Sequence, residues 1–349
     1  MYSVPQLKLE AKMQHKKRNI AWLIILVLLV IGVLLNKMNS GNSSKMSFSA
    51  KDIKNTKNII DGSRERVLKQ RFVSGESEAE DKILIINVQG ELNNDRKGSL
   101  YQKGMVDEII DELKQAENDE KTRAIILDIN SPGGPVVDAD ILYGKIMELR
   151  KKKVIIAYLD RMAASGGYYI ASACDKIVAH PLTITGSIGV IMNTMNVQGL
   201  LEKKLGIEMG VIKSGKFKDM GSPYRKMQKT ERQMLQALVD EAYVRFVQSV
   251  ADGRRMPFNK VAEVADGRIF SATQGKAYGL VDILGTEDTA VLVAKKLAGL
   301  KKAKVVEFYI RPSLRDLMFS KIEESNKMKD ASTVITEPVL KYIWQPLTK

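Results

Sequence analysis

Three short, nearly unbroken apolar runs limit what this chain can fold into: Ile83-Leu84-Ile85-Ile86, residues 124–129 and residues 154–158. A strand exposed on one face alternates apolar with polar residues. A continuous run instead signals a strand buried on both faces, as in a parallel sheet covered by helices. The segments between these runs have helical spacing: Val106, Ile109, Ile110 and Leu113 recur within 105–116, and helices are also expected over 136–149 and 165–174. Asn130-Ser131-Pro132-Gly133-Gly134-Pro135 breaks the second strand, residues 160–164 read as a turn, and 176–179 read as a fourth short strand. Strands alternating with helices predict an α/β fold, a parallel sheet with right-handed crossovers. Further on, the pattern predicts a helix over 197–205, a strand over 208–212 and a loop through Pro223. A long amphipathic helix over 230–252 carries Met234, Leu235, Leu238, Val239, Ala242 and Phe246 on one face, and a last strand is expected over 304–310. There is no internal repeat.

Ahead of this region, residues 20–35 form sixteen consecutive apolar or Gly residues. At about 1.5 Å per residue they cover most of a bilayer core of about 30 Å. Trp22 and Asn36-Lys37 suit the two interfaces, and Lys16, Lys17 and Arg18 keep the short N-terminal tail cytoplasmic. The run is long for a signal-peptide core and no A-x-A site follows it, so an uncleaved anchor is expected. The organisation is therefore a cytoplasmic tail (1–19), one transmembrane helix (20–36), a polar spacer partly helical around 64–70 (37–81), a globular domain outside the cytoplasm (82–310) and a C-terminal tail without sustained pattern, expected to be mobile (311–349).

Composition removes several kinds of chemistry. The formal net charge of +14 suits an anionic membrane surface. Aromatics are only 6%, and no basic stretch interleaves with them as base stacking requires, so nucleic acid is not an expected partner. The single cysteine, Cys174, cannot form an internal disulfide and lies among small residues, which reads as a buried core thiol. There are two histidines. His15 falls in the cytoplasmic tail, and His180, in Ala179-His180-Pro181, reads as structural. That count argues against a histidine-based triad and a histidine-rich metal site; no calcium-loop pattern is present either, and neither metal nor cofactor is called for.

What remains is serine and lysine. Ser131-Pro132-Gly133-Gly134 and Thr185-Gly186-Ser187-Ile188-Gly189 match no nucleotide-binding pattern. Glycines after a buried strand leave backbone N–H groups free and let a carbonyl approach, which suits either an oxyanion hole or a plain tight turn. Ala163-Ala164-Ser165-Gly166-Gly167 joins a buried strand to a helix and resembles a relaxed G-x-S-x-G elbow; Ser165 is a candidate nucleophile or an ordinary helix cap. A serine needs a base. With histidine scarce, lysine is the usual substitute, and it must be partly desolvated to act near neutral pH. Lys213, Lys216 and Lys218 lie in one loop with apolar neighbours, and the residues alone do not rank them.

Together with Met162 to Ile170, residues 185–190, Lys213-Ser214-Gly215 through Lys218-Asp219, Asp266-Gly267-Arg268 and Gly279-Leu280-Val281-Asp282, these stretches resemble the signal peptide peptidase A family of bacterial Ser-Lys proteases, over roughly Lys82 to Val306. The resemblance implies the fold shared by Clp-type proteases and crotonases. It places Ser165 on the nucleophile, Lys218 on the general base and Ser187 on a serine that orients that lysine. Gly133 and Gly166 fall on the oxyanion hole. It also implies signal peptides and other unfolded apolar peptides as substrates. A single copy of the domain implies self-association into a ring whose sites take serine and lysine from neighbouring subunits. Pro135 departs from the family, where a third small residue is frequent. An inactive membrane scaffold of the same fold is the alternative, but it would have lost the serine or the lysine. Acyl-CoA chemistry would call for carboxylate acid/base residues and a compartment holding CoA.

Overall fold

The computed structural model describes residues 68–94, 104–309 and 341–343, all within one compact unit, Glu65–Lys349. β1 (Lys69–Gly75) and β2 (Lys82–Gln89) precede α1 (Met105–Asn118). β3 (Thr122–Ser131) and the short β4 (Gly133–Pro135) lead into α2 (Val136–Leu149), and β5 (Val154–Ala164) leads into α3 (Gly166–Ser172). β6 (Lys176–Ala179) and β7 (Ile184–Gly186) come next, then an arm with a helical turn at Gln198–Leu200 that widens over Leu201–Leu205. The long α4 (Lys229–Arg254) is followed by α5 (Phe258–Ala262), β8 (Ile269–Ser271), α6 (Ala272–Ala277), β9 (Ile283–Leu284), α7 (Glu287–Leu297), β10 (Lys304–Tyr309) and β11 (Lys341–Ile343).

The main sheet has the order β1-β10-β2-β3-β5-β6-β9, with β7 pairing β5 and β8. The pairs from β10 to β9 are parallel, β1 closes one edge antiparallel to β10, and β8 is antiparallel to β7. The apolar runs do what their continuity requires. On β2, Leu84 and Ile86 enter one layer with α1, α2, α3 and α4, while Ile83 and Ile85 enter the other, where Ala290 and Ala294 of α7 cover them. The parallel strands β3, β5 and β7 end at one edge of the sheet, so Ser131, Ala164 and Gly186 carry their connecting loops to the same place.

Four expectations are corrected. Residues 160–164 are not a turn: β5 runs on to Ala164, and after a register shift between Ile129 and Ser131 it leaves β6 and pairs Met162–Ala164 with β7. The domain begins before residue 82, because Lys69–Gly75 is the edge strand β1, where a partly helical spacer was expected. Residues 208–212 form no strand; Met209, Val211 and Ile212 are exposed, and among the described residues no strand pairs with them. In the C-terminal tail, Lys341–Ile343 is an ordered strand, antiparallel to β4. The expected anchor at 20–36 lies outside the described residues; among those described, no helix is long and apolar enough to cross a membrane.

Candidate active site

Ser165 follows the last residue of β5, with φ 52° and ψ −116°, a backbone geometry that L-residues adopt only under constraint. Its N–H donates to Gly186 O (2.8 Å), and its carbonyl accepts the Tyr169 N–H (2.8 Å), starting α3. The side chain makes no capping bond to that helix. The plain capping role is therefore set aside, and the hydroxyl is spared for other work. The neighbouring glycines are dictated by crowding. A Cβ on Gly167 would stand 2.7 Å from Ser131 O, and one on Gly166 would stand 3.0 Å from both Gly133 Cα and Tyr342 O.

Ser187 occupies the equivalent place one strand over. Ala164 pairs with Gly186, so the residues that follow, Ser165 and Ser187, are neighbours at about one strand spacing. Ser187 also has φ 52°, is almost buried, and donates its N–H to Arg268 O (2.8 Å). Among the described residues only Ser165, Ser187 and the helix-ending Arg255 are non-glycines at positive φ. Two of those three strained positions are thus the two serines that the resemblance picks out.

In the glycine loop, Gly133 has φ 102° and its N–H donates to Ser131 Oγ (3.1 Å), while its carbonyl accepts the Leu92 N–H (2.8 Å). The Gly133 N–H is therefore already committed. The next residue, Gly134, stands opposite Tyr342 in the β4–β11 ladder. On the other edge of β11, Lys341 exchanges both backbone bonds with Ile191 (3.1 and 3.1 Å). Alternation along a strand then turns both polar groups of Tyr342 toward Gly134. The donor facing the Tyr342 carbonyl is thus Gly134 N–H, and Gly166 lies beside it, where an added Cβ would stand 3.0 Å from that oxygen. The resemblance places Gly133 on the oxyanion hole; in the structure its N–H is engaged by the Ser131 hydroxyl, and the Gly134 N–H is the one on the Tyr342 side.

The three candidate lysines separate clearly. Lys213 is paired with Asp219 (2.5 Å) and donates to Lys216 O (3.1 Å), and Lys216 lies over the Phe217 ring at 5.2 Å. Lys218 is exposed, its N–H closes a turn on Gly215 O (3.1 Å), and among the described residues its amino group has no partner. No hydrogen bond joins it to Ser165 within one chain. The loop is braced from below: Arg225 binds Asp219 (2.7 Å) and Glu231 (2.5 Å), and Glu231, the N3 residue of α4, accepts the Gln228 N–H (2.8 Å). Hydrogen bonds from Arg225 and then Lys213 hold the Asp219 carboxyl well below the usual range, and Arg225, with the Gln228 N–H, holds Glu231 down to about 2.

That brace predicts an acid limit. A carboxylate whose pKa is depressed in the folded state contributes stability that is complete above its ordinary value near 4.5 and is lost as pH falls through about 2. Arg225→Leu should move the acid transition of residues 213–228, followed by amide hydrogen exchange, up toward that ordinary value. An unchanged acid profile would show that the brace contributes nothing.

The other singled-out residues are structural, as the sequence indicated. His180 Nδ1 accepts the Leu182 N–H (3.3 Å) in the turn after β6. Cys174 is buried, and desolvation pushes its thiol far up, which suppresses the reactive thiolate. Among the described residues no group of His, Cys, Asp and Glu could hold a metal ion.

One element of the site was not foreseen. β11 lies between β4 and Ile191 as an extended strand across the glycine loop. Tyr342 is fully buried, its ring stacked on Tyr169 (5.1 Å between centroids, 22°) and tilted against Phe246 (4.6 Å, 50°). Its hydroxyl donates to Ala242 O (2.7 Å). Tyr169 is itself held by Asp140 (2.5 Å) and Ser249 (2.7 Å). Only the aromatic and apolar run Tyr342-Ile343-Trp344 near the end of the tail could have signalled this.

Residues 147–301 match the model of peptidase family S49, and residues 85–185, from β2 to β7, match that of Clp protease. The sheet and its flanking helices are therefore Clp-protease-like. A protein of Enterococcus faecium provisionally named signal peptide peptidase SppA is 37% identical over 236 residues, 67% of this chain and 68% of the relative. A protein of Methanocaldococcus jannaschii provisionally named a protease is 42% identical over 196 residues, 56% of this chain and 63% of the relative. The chloroplastic serine protease SPPA of Arabidopsis thaliana is 33% identical over 251 residues, 70% of this chain. The matched region spans less than two thirds of the archaeal relative's length and 37% of the plant protein's.

Proposed function

The chain belongs to peptidase family S49, and on that premise we propose that it is a membrane-anchored serine endopeptidase that degrades released signal peptides and other unfolded apolar peptides with Ser165 as nucleophile and Lys218 as base. The observation that carries this reading is the strand β11 lying across the end of β5, with the carbonyl of Tyr342 turned toward Gly134 and Gly166 beside Ser165. An extended peptide there is positioned as a substrate: backbone pairing fixes its register, and a carbonyl meets donors arranged in advance. Ser165 Oγ attacks that carbonyl carbon while Lys218 Nζ takes the proton. The oxyanion is held by Gly134 and Gly166 N–H. The amine leaves with the proton returned by Lys218, and water then hydrolyses the acyl-serine ester. Ser187, held at positive φ at the end of the neighbouring strand, is in this reading the serine that orients the lysine.

In this reading Lys218 comes from a neighbouring copy. Its amino group is exposed and unpartnered among the described residues. The arm that carries it also exposes Leu205, Ile207, Met209, Val211 and Ile212, an apolar surface that calls for a cover. A second copy of the chain would supply it and, by closed repetition, a ring. It would also bring the lysine out of water, as a base requires. An inactive scaffold is disfavoured because both Ser165 and Lys218 are present.

The test is complementation on denatured casein. Ser165→Ala and Lys218→Ala proteins should each be inactive, yet mixed under conditions of subunit exchange they should regain activity at roughly a quarter of the sites, those pairing an intact serine with an intact lysine. No recovery despite proven exchange would place each site within one chain. Full activity in either single variant would end the dyad assignment.

A further inference from the structure

The peptide unit joining Gly133 to Gly134 cannot hold its own orientation. Glycine on both sides leaves it free to rotate, because no Cβ opposes the turn. Rotated by half a turn, it would aim a carbonyl oxygen, instead of the Gly134 N–H, at a developing oxyanion. The peptide is trans, so its two polar groups point in opposite directions, and whatever fixes the carbonyl also aims the N–H. The Gly133 carbonyl accepts the Leu92 N–H at 2.8 Å. The orientation of the donor therefore depends on what holds Leu92.

Leu92 lies in a short segment, residues 90–94, that is tied to the glycine loop and its flanks at three points. Gly90 N–H donates to Asn130 O (2.9 Å), Leu92 N–H to Gly133 O, and Asn94 N–H to Asp138 Oδ2 (3.1 Å) in the first turn of α2. The Leu92 side chain is fully buried. Asn94 secures the far end. The N-terminal residue before α1, Gly104, offers no side chain to cap that helix. Asn94 caps it from outside: its Oδ1 accepts the Asp107 N–H (3.0 Å), and its Nδ2 donates to the Asp107 carboxylate (3.1 Å). Only glycine at 104 admits this approach, since a Cβ there would run into Asn94 Cα. One residue thus fastens the segment to the starts of both α1 and α2.

We propose that Asn94 is a positioning residue of the oxyanion hole: by clamping residues 90–94 to the N-termini of α1 and α2, it keeps the Leu92 N–H on the Gly133 carbonyl and so keeps the Gly134 N–H aimed at the reacting carbonyl. The inference rests on the peptidase reading above. Asn94 touches no reacting atom; it acts on the direction of one donor. Its effect belongs to the transition state, where the oxygen carries charge, and scarcely to the bound substrate. A residue that merely capped α1 would change stability and leave this balance alone.

The test uses the full-length protein in detergent micelles, a synthetic signal peptide as substrate, and a peptide boronic acid, whose tetrahedral adduct on Ser165 sets an oxygen at the oxyanion position. Asn94→Asp keeps an oxygen for the Asp107 N–H but sets a second carboxylate against that of Asp107. Its kcat should fall by about 10²-fold, near the cost of one misdirected oxyanion donor, with KM within about twofold of the parent. Affinity for the boronic acid should fall by the same factor as kcat. Adding Asp107→Asn restores the side-chain bond with donor and acceptor exchanged, and kcat should return to within about threefold of the parent. Asn94→Ala deletes the side-chain bonds without adding charge, should lose about tenfold in kcat, and serves if the carboxylate pair prevents folding. An Asn94→Ala protein that melts lower yet keeps parental kcat, KM and boronic-acid affinity would overturn the inference and leave Asn94 a helix cap. A loss confined to KM, or a double variant no better than Asn94→Asp, would overturn it as well. All three results leave the peptidase reading standing while the parent hydrolyses casein. A parent that does not would overturn that reading and this inference with it.

Discussion

Ser165→Ala should lower kcat/KM by at least about 10⁴-fold, the loss typical when the nucleophile of a hydroxyl–base pair is removed. That is about 5.4 kcal/mol of transition-state stabilisation. The fold should be unaffected, for a reason visible in the local geometry. The serine's structural duties are performed by its backbone, whose N–H binds Gly186 and whose carbonyl starts α3. Its hydroxyl caps nothing. Alanine can hold the same φ of 52° at comparable strain, so the melting temperature should stay within a few degrees. Circular dichroism and casein turnover on the same sample check both halves. A variant that keeps a tenth of the activity would move the nucleophile elsewhere, and one that unfolds would give the hydroxyl a structural role that the hydrogen bonds do not indicate.

Gly133→Ala should be almost as damaging by a different route. The added methyl would overlap the position of the Tyr342 carbonyl oxygen and stand 2.6 Å from Gly166 N. It would fill the space that a substrate carbonyl must enter, and loss of oxyanion contacts costs roughly 10²–10³ in rate for each donor. A fall of about 10³ in kcat/KM is expected. The backbone at φ 102° adds strain of order 1–3 kcal/mol, so this variant should also melt a few degrees lower. The diagnostic is a loss of turnover far larger than the loss of stability. Activity within about threefold of the parent would mean that the carbonyl of a bound peptide does not lie where β11 puts its own.

How much of this could be read from sequence differs by element. The strands β2, β3 and β6 and the helices α1, α2 and α4 were legible because their burial is two-sided or periodic, and burial dominates local pattern. The end of β5 was not. Asp160 and Arg161 look like turn residues, yet they carry the strand past β6 to pair with β7, a partner three residues long that no periodicity reveals. Residues 208–212 fail in the opposite sense: Val211 and Ile212 suit a strand, but among the described residues no strand pairs with them. Ser165 and the loop holding Lys213, Lys216 and Lys218 were found from residue chemistry, and the family resemblance chose Lys218. In the structure the amino groups of Lys213 and Lys216 are engaged, an arrangement the sequence does not reveal. The resemblance pointed to Gly133, and the hydrogen bond from its N–H to Ser131 Oγ is a detail that sequence does not encode. Tyr169 and Tyr342 were missed as parts of one pocket because they are 173 positions apart.

If β11 occupies the substrate cleft as proposed, it has a kinetic consequence. Only about thirty residues link it to the end of β10, so wherever the enzyme goes, a competitor travels with it at an effective concentration in the ~mM range. Dilution does not relieve such competition, as it would for a separate inhibitor. A substrate meets only the fraction of molecules whose cleft is vacant, and its apparent affinity is divided by that fraction. The cost falls on KM and leaves kcat alone. Scarce or weakly binding peptides would then be spared, while those arriving in bulk would displace the tail and be cut.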